Sequence, residues 1–162
     1  MQLPMDRRNA LRAELVTHLR RDLAAAEQAH RATVAGATHE EAKPENDKDT
    51  RALEQSYLAR GQAQRVEELR GAVAEVEAMA ASGGAGEGRA VQGALVTVDD
   101  GGREVAYWIA PHGGGLRLEA GGVQVVTPRS PLGRALVGRG VGDDCEVTIA
   151  GKGRTLTILR VE

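Results

Sequence analysis

The hydrophobic period of this chain changes once, across a glycine-rich segment at residues 82–88 (SGGAGEG), and that change limits the fold to a helical part followed by a β part. Before it, Leu11, Leu15, Leu19 and Leu23 recur every four residues, and Ala26 and His30 continue the stripe. This is the pattern of an amphipathic helix over residues 6–34. A second helix is predicted over residues 49–81, where Val66, Leu69, Val73, Val76 and Ala80 alternate spacings of three and four, as in a heptad seam. Continued backward, that seam passes through Gln62, Ala59, Gln55 and Ala52, so it is apolar at one end and small or polar at the other. A dimerising coiled coil would show similar spacing. The break at residues 35–49, with Gly36, Pro44 and many charges, favours a chain that folds back on itself. Two such arms of about 30 residues would each extend roughly 45 Å.

After residue 88 the period becomes two, or gives way to short apolar runs. Strands are predicted at 91–98, 105–110, 123–127, 145–149 and 155–161, with hairpin turns at 99–102 and 150–153. Ser130-Pro131 opens a short helix, since serine suits the N-cap and proline the first helical position. Leu132, Ala135 and Leu136 form its inner face and Gly138 its C-terminal stop. The expected class is α+β: an antiparallel α-helical coiled-coil hairpin over residues 1–81, a linker at 82–88 and a small antiparallel β-sheet domain with one short helix at 89–162.

Charge narrows the partners. Lys and Arg number 21 against 23 Asp and Glu, and the two signs are balanced in each half, so the basic footprint of a duplex-DNA binder is missing. No apolar run reaches membrane-spanning length and the N-terminus carries no signal-peptide core, which places the protein in the cytoplasm with no membrane partner. Cys145 is the only cysteine, excluding an intrachain disulfide and a four-thiolate zinc site.

Several catalytic signatures fail. The glycines of GRGVG at 138–142 follow a helix rather than a strand and lack the dinucleotide-binding spacing. GKGRT at 151–155 lacks the first glycine of a phosphate-binding loop, because Glu146 stands in its place. His18, His30, His39 and His112 are scattered, with His18 and His30 expected as partly buried packing residues. No self-contained active site emerges.

The break between the helices is chemically distinctive. Glu40, Glu41, Glu45, Asp47 and Asp49 crowd into it, and grouped carboxylates repel one another and suit a hard divalent cation. A solvated polar turn would share that composition.

The sequence VVTPRSPLGRALVG at 125–138, followed by Gly142-Asp143, resembles the signature of the bacterial GreA/GreB transcript-cleavage factors through Ser130, Pro131, Arg134, Ala135, Leu136, Gly138, Gly142 and Asp143. The run at 91–98 is similar to the strand opening that family's second domain, and Glu45-Asn46, Glu54-Gln55 and Gly61 keep its spacing along the second helix. The resemblance implies a coiled-coil hairpin and a C-terminal domain like that of FK506-binding proteins. It implies a monomer that is not itself an enzyme but binds RNA polymerase at its secondary channel and stimulates the polymerase's own cleavage of backtracked RNA. Ser130, Pro131 and Arg134 would dock on the polymerase. Glu41, Glu45, Asp47 and Asp49 would reach its active centre and the nascent RNA 3′ end there. No cofactor would be bound by the chain alone; Glu45 with Glu41 would share Mg²⁺ with the polymerase active site. The sequence departs from the family's acidic pattern at Ala42, with Glu41 one step earlier, and Asp49 replaces an aromatic residue. A channel-binding regulator that inhibits or retunes polymerase without cleavage is therefore a second reading. A prolyl isomerase is a weaker third, because its pocket needs aromatics and this chain has no Phe, one Trp and two Tyr.

Overall fold

The computed structural model describes residues 5–40, 48–79 and 87–162. Two long helices come first, α1 (Met5–Glu40) and α2 (Lys48–Glu77). Six strands and one short helix follow: β1 (Leu95–Asp100), β2 (Glu104–Ile109), β3 (Arg117–Leu118), β4 (Val123–Val126), α3 (Pro131–Leu136), β5 (Asp144–Ile149) and β6 (Lys152–Val161). The segment at residues 41–47 and most of the glycine-rich segment lie outside the described residues. Among the described residues no helix is long and apolar enough to cross a membrane.

The chain divides into two compact units. One takes the described residues of Thr17–Ala74, the other those of Met1–Val16 and Glu75–Glu162. In the first, the apolar end of the predicted seam is buried and the small or polar end is not; of the remaining seam residues, Val76 belongs to the second unit and Ala80 lies outside the described residues. Leu19, Val66, Leu69 and Val73 are buried, whereas Leu23, Gln55, Ala59 and Gln62 are only half-buried and Ala52 is exposed. His30 is half-buried beside the seam, as expected. The two helices are antiparallel here: Arg70 of α2 meets Glu27 of α1 at 2.8 Å, while also holding Glu67 one turn away at 2.7 Å. α1 runs six residues past its predicted end, straight through Gly36. A single glycine costs a helix only about 1 kcal/mol, and a Cβ added at Gly36 would meet no atom within 4 Å, so α1 continues through it to Glu40.

The second unit holds the sheet, in the order β3-β4-β2-β1-β6-β5. It is mixed rather than wholly antiparallel, because β2 and β4 pair in parallel. Parallel neighbours need a crossover of about a dozen residues, and residues 110–122 supply it, doubling back through β3 and a 3-10 turn at Glu119–Gly121. The sequence contains no signal for β3, a two-residue strand. The other strands fall where predicted, except that β1 starts later, at Leu95, and β6 earlier, at Lys152. Both predicted turns tighten to two residues. At the first, Gly101 and Gly102 have φ of 64° and 89°, and the Asp99 carboxylate accepts the Gly102 N–H at 2.7 Å.

Alternation in the central strands sorts side chains onto two faces. Val96, Val98, Tyr107 and Ile109 join Val126, Leu136, Cys145, Val147, Leu156 and Ile158 in one buried cluster, the face covered by α3. Leu95 and Trp108 are cross-strand partners pointing the other way, and both are buried. The first turns of α1 belong to this unit: Leu11 and Leu15 are fully buried, and Leu15 lies so close to Gly113 that a Cβ there would meet its Cδ1 at 2.5 Å.

Candidate functional site

The Ser130-Pro131 segment is built by local backbone chemistry. The Ser130 hydroxyl accepts the Gly133 N–H at 3.0 Å and donates to the Thr127 carbonyl at 2.8 Å, capping α3 and closing the turn before it. Pro131 takes the first helical position, where its missing N–H costs nothing. Gly133 is buried against the strand exit, and an added Cβ would overlap the Thr127 carbonyl oxygen. Only glycine lets α3 pack this close. Leu136 is buried beneath. The remaining signature residues tie this helix to the domain's first segment. Gly138 N–H donates to Ala90 O at 2.7 Å, and Ala90 N–H returns to Arg139 O at 2.8 Å. The Asp143 carboxylate accepts the Gly140 N–H at 2.8 Å, fixing the turn into β5.

Ser130, Pro131 and Leu132 line a cleft of about 700 Å³ on the α3 face of the sheet. Val105, Val126 and Ile149 add apolar lining, and Asp100, Arg103, Tyr107, Arg117, Gln124 and Arg154 add polar lining. Arg154 is held by Asp100 at 2.7 Å. Burial raises the Tyr107 pKa, the Asp100 charge adds to the rise, and Arg154 and Arg117 oppose it, so the phenol stays protonated as a donor at neutral pH. Of the three docking residues expected from sequence, Ser130 and Pro131 line the cleft; Arg134 is exposed on α3 and does not. The polar lining was not legible in the sequence, although the alternation that sends Tyr107 and Trp108 to opposite faces was a signal for it.

The acidic candidates are placed differently. Glu41, Glu45 and Asp47 lie outside the described residues, and Asp49 is the second residue of α2. Among the described residues no three His, Cys, Asp or Glu side chains gather so as to hold a metal ion. Cys145 is buried, and burial raises its thiol pKa, which leaves it an inert core residue.

Three solved structures resemble the chain at low identity. The crystal structure of GreA factor homolog 1 (Gfh1) of Thermus thermophilus is 16% identical over 91% of this chain and 94% of its own, with a TM-score of 0.38. A second structure of the transcription factor Gfh1 is 14% identical over 91% and 92%, with a TM-score of 0.40. Thermus aquaticus Gfh1 is 16% identical over 90% and 92%, also at 0.40. No curated protein matches the sequence. Residues 87–162, the sheet with α3, match the family described as "Transcription elongation factor, GreA/GreB, C-term". The match covers the sheet domain alone, a little under half of the chain, and it is this domain that is similar to the C-terminal domain of GreA/GreB transcription elongation factors.

Proposed function

We propose that the protein binds bacterial RNA polymerase through the cleft edge at Ser130, Pro131 and Leu132, and that its helical hairpin delivers carboxylates to the polymerase active centre, stimulating cleavage of backtracked RNA. The observation that carries the reading is the family match of the sheet domain, together with the Ser130-Pro131 turn lining its cleft of about 700 Å³. In that turn Pro131 is exposed while the residues around it are pinned by the Ser130 cap. A rigid apolar corner exposed to solvent is suited to docking on a protein surface, since little side-chain entropy is lost on binding.

The carboxylates supply the second half of the reading. Glu45 beside Asn46 is the main candidate, with Glu41, Asp47 or Asp49 as its partner. Two carboxylates from this chain would complete a site for Mg²⁺ together with the polymerase's own ligands, the chemistry supplied by the ion being activation of the attacking water. The chain acts as a monomer, contributes no complete active site, and meets the nascent RNA 3′ end only inside the polymerase. The test is cleavage in a stalled, backtracked elongation complex with and without the protein, across a Mg²⁺ titration. Shortened transcripts support the reading.

The departure at Ala42 favours a second reading, in which the arm enters the channel and inhibits polymerase without cleavage. Binding to polymerase with no cleavage at any Mg²⁺ concentration would select it.

A further inference from the structure

We propose that Arg103, Arg117 and Tyr107, in the polar lining of the cleft, seat a carboxylate side chain of the docking partner, so that the cleft reads an acidic residue beside an apolar one. The inference rests on the docking reading above and extends it from the Ser130-Pro131 corner to further residues that line the same cleft. Three arginines face one carboxylate there. That carboxylate, Asp100, is already bound by Arg154 at 2.7 Å, which leaves the charge of Arg103 and Arg117 uncompensated. Both side chains are exposed, and among the described residues neither makes an ion pair. They come from different elements, the β1–β2 connection and β3, and both line the same cleft as Tyr107.

Tyr107 adds a neutral donor. Its ring is locked in the core cluster while its position lines the cleft, and it keeps its proton at neutral pH. Two guanidinium groups present donors only and the protonated phenol can donate beside them, which suits an acceptor-only group such as a carboxylate. A phosphate would satisfy the same donors. The apolar lining decides between them. Val105, Val126, Pro131, Leu132 and Ile149 give an apolar floor that a nucleic-acid backbone would leave unfilled but an amphipathic protein segment would cover.

The experiment measures affinity of the full chain for bacterial core RNA polymerase at low and high salt, comparing wild type with Arg103→Ala/Arg117→Ala, Tyr107→Phe and Ser130→Ala/Pro131→Ala. The arginine pair variant is expected to bind about tenfold more weakly at low salt, with a flattened salt dependence. Tyr107→Phe keeps the ring in place and should lose a few-fold. An arginine pair variant that binds like wild type at both salts, while the Ser130/Pro131 variant loses affinity, overturns the inference and leaves the docking reading intact. A wild-type chain that fails to bind overturns the docking reading and the inference with it. A labelled single-stranded RNA bound by the free chain, and released by the arginine substitutions, would assign these residues to nucleic acid and also overturn the inference.

Discussion

Gly133 and Thr127 touch so closely that the helix α3 exists in its observed place only because residue 133 has no side chain: a Cβ would overlap the Thr127 carbonyl oxygen. The same carbonyl accepts from the Ser130 hydroxyl at 2.8 Å. One backbone oxygen therefore sets both the cap and the depth of the helix that carries Pro131 to the cleft rim.

Gly133→Ala is expected to force α3 outward, because the obstruction is backbone and cannot rotate away. Overpacking of this kind costs about 1–3 kcal/mol, and the rigid neighbour puts it at about 3. Thermal unfolding by circular dichroism should show a clear drop in Tm; an unchanged Tm would mean that the helix can shift without cost.

Ser130→Ala removes the cap and is expected to cost about 1 kcal/mol, while Pro131→Ala, on an exposed position, should leave stability within about 0.5 kcal/mol. If the corner docks on polymerase, the double variant loses affinity out of proportion to its stability. Full retention in a pull-down, with the circular dichroism spectrum intact, argues against docking there.

Arg7 clamps Glu119 through two hydrogen bonds, both 2.9 Å, and Glu14 accepts the Glu119 N–H at 3.0 Å. Glu119 needs such support, because its backbone φ is 50°, a left-handed conformation unfavourable for any residue but glycine. The hydrogen bond from Arg7 lowers the Glu119 pKa, and burial partly opposes it. A carboxylate with a lowered folded pKa contributes stability that is fully present above its unfolded pKa and is lost as pH falls through the folded one. Wild type should thus exceed Glu119→Gln in Tm near neutral pH, with the gap closing below the ordinary carboxylate range. The side chains are 40% and 34% exposed, so solvent screens the pair and added salt should shrink the gap. A gap that persists at low pH would place its origin outside this ion pair.

Glu45→Ala should abolish most cleavage stimulation with polymerase affinity nearly unchanged, since the docking corner is a separate element. Glu45→Asp should also lose activity. Its stem is one methylene shorter, and Mg²⁺–oxygen distances of about 2.0–2.1 Å leave little slack. Retained cleavage in Glu45→Asp would transfer the role to Glu41, Asp47 or Asp49.

A fragment of residues 87–162 is proposed to fold alone, but below the Tm of the full chain. Leu11 and Leu15 are fully buried within the same compact unit as the sheet, and the fragment gives up that burial. A fragment disordered by NMR would refute the division into a hairpin and a sheet domain.

What the sequence determined by itself was everything set by short-range periodicity and local chemistry. The seam from Leu19 through Val66, Leu69 and Val73 follows from spacing, since burial of one helix stripe is a local rule. The Ser130 cap, the Pro131 start and the two-residue turns follow from backbone preferences that neighbouring residues decide. The tertiary structure decided what depends on distant segments meeting. The parallel pairing of β2 with β4 needs the whole 110–122 crossover, and β3 is too short to carry a pattern of its own. Gly133 looks like an ordinary helix-breaking residue until the Thr127 carbonyl is placed against it. Asp100, Arg103, Tyr107, Arg117 and Arg154 are scattered over more than 50 positions and line one cleft only because the sheet brings β1, β2, β3 and β6 together, where charge and hydrogen-bonding capacity act through space and not along the chain.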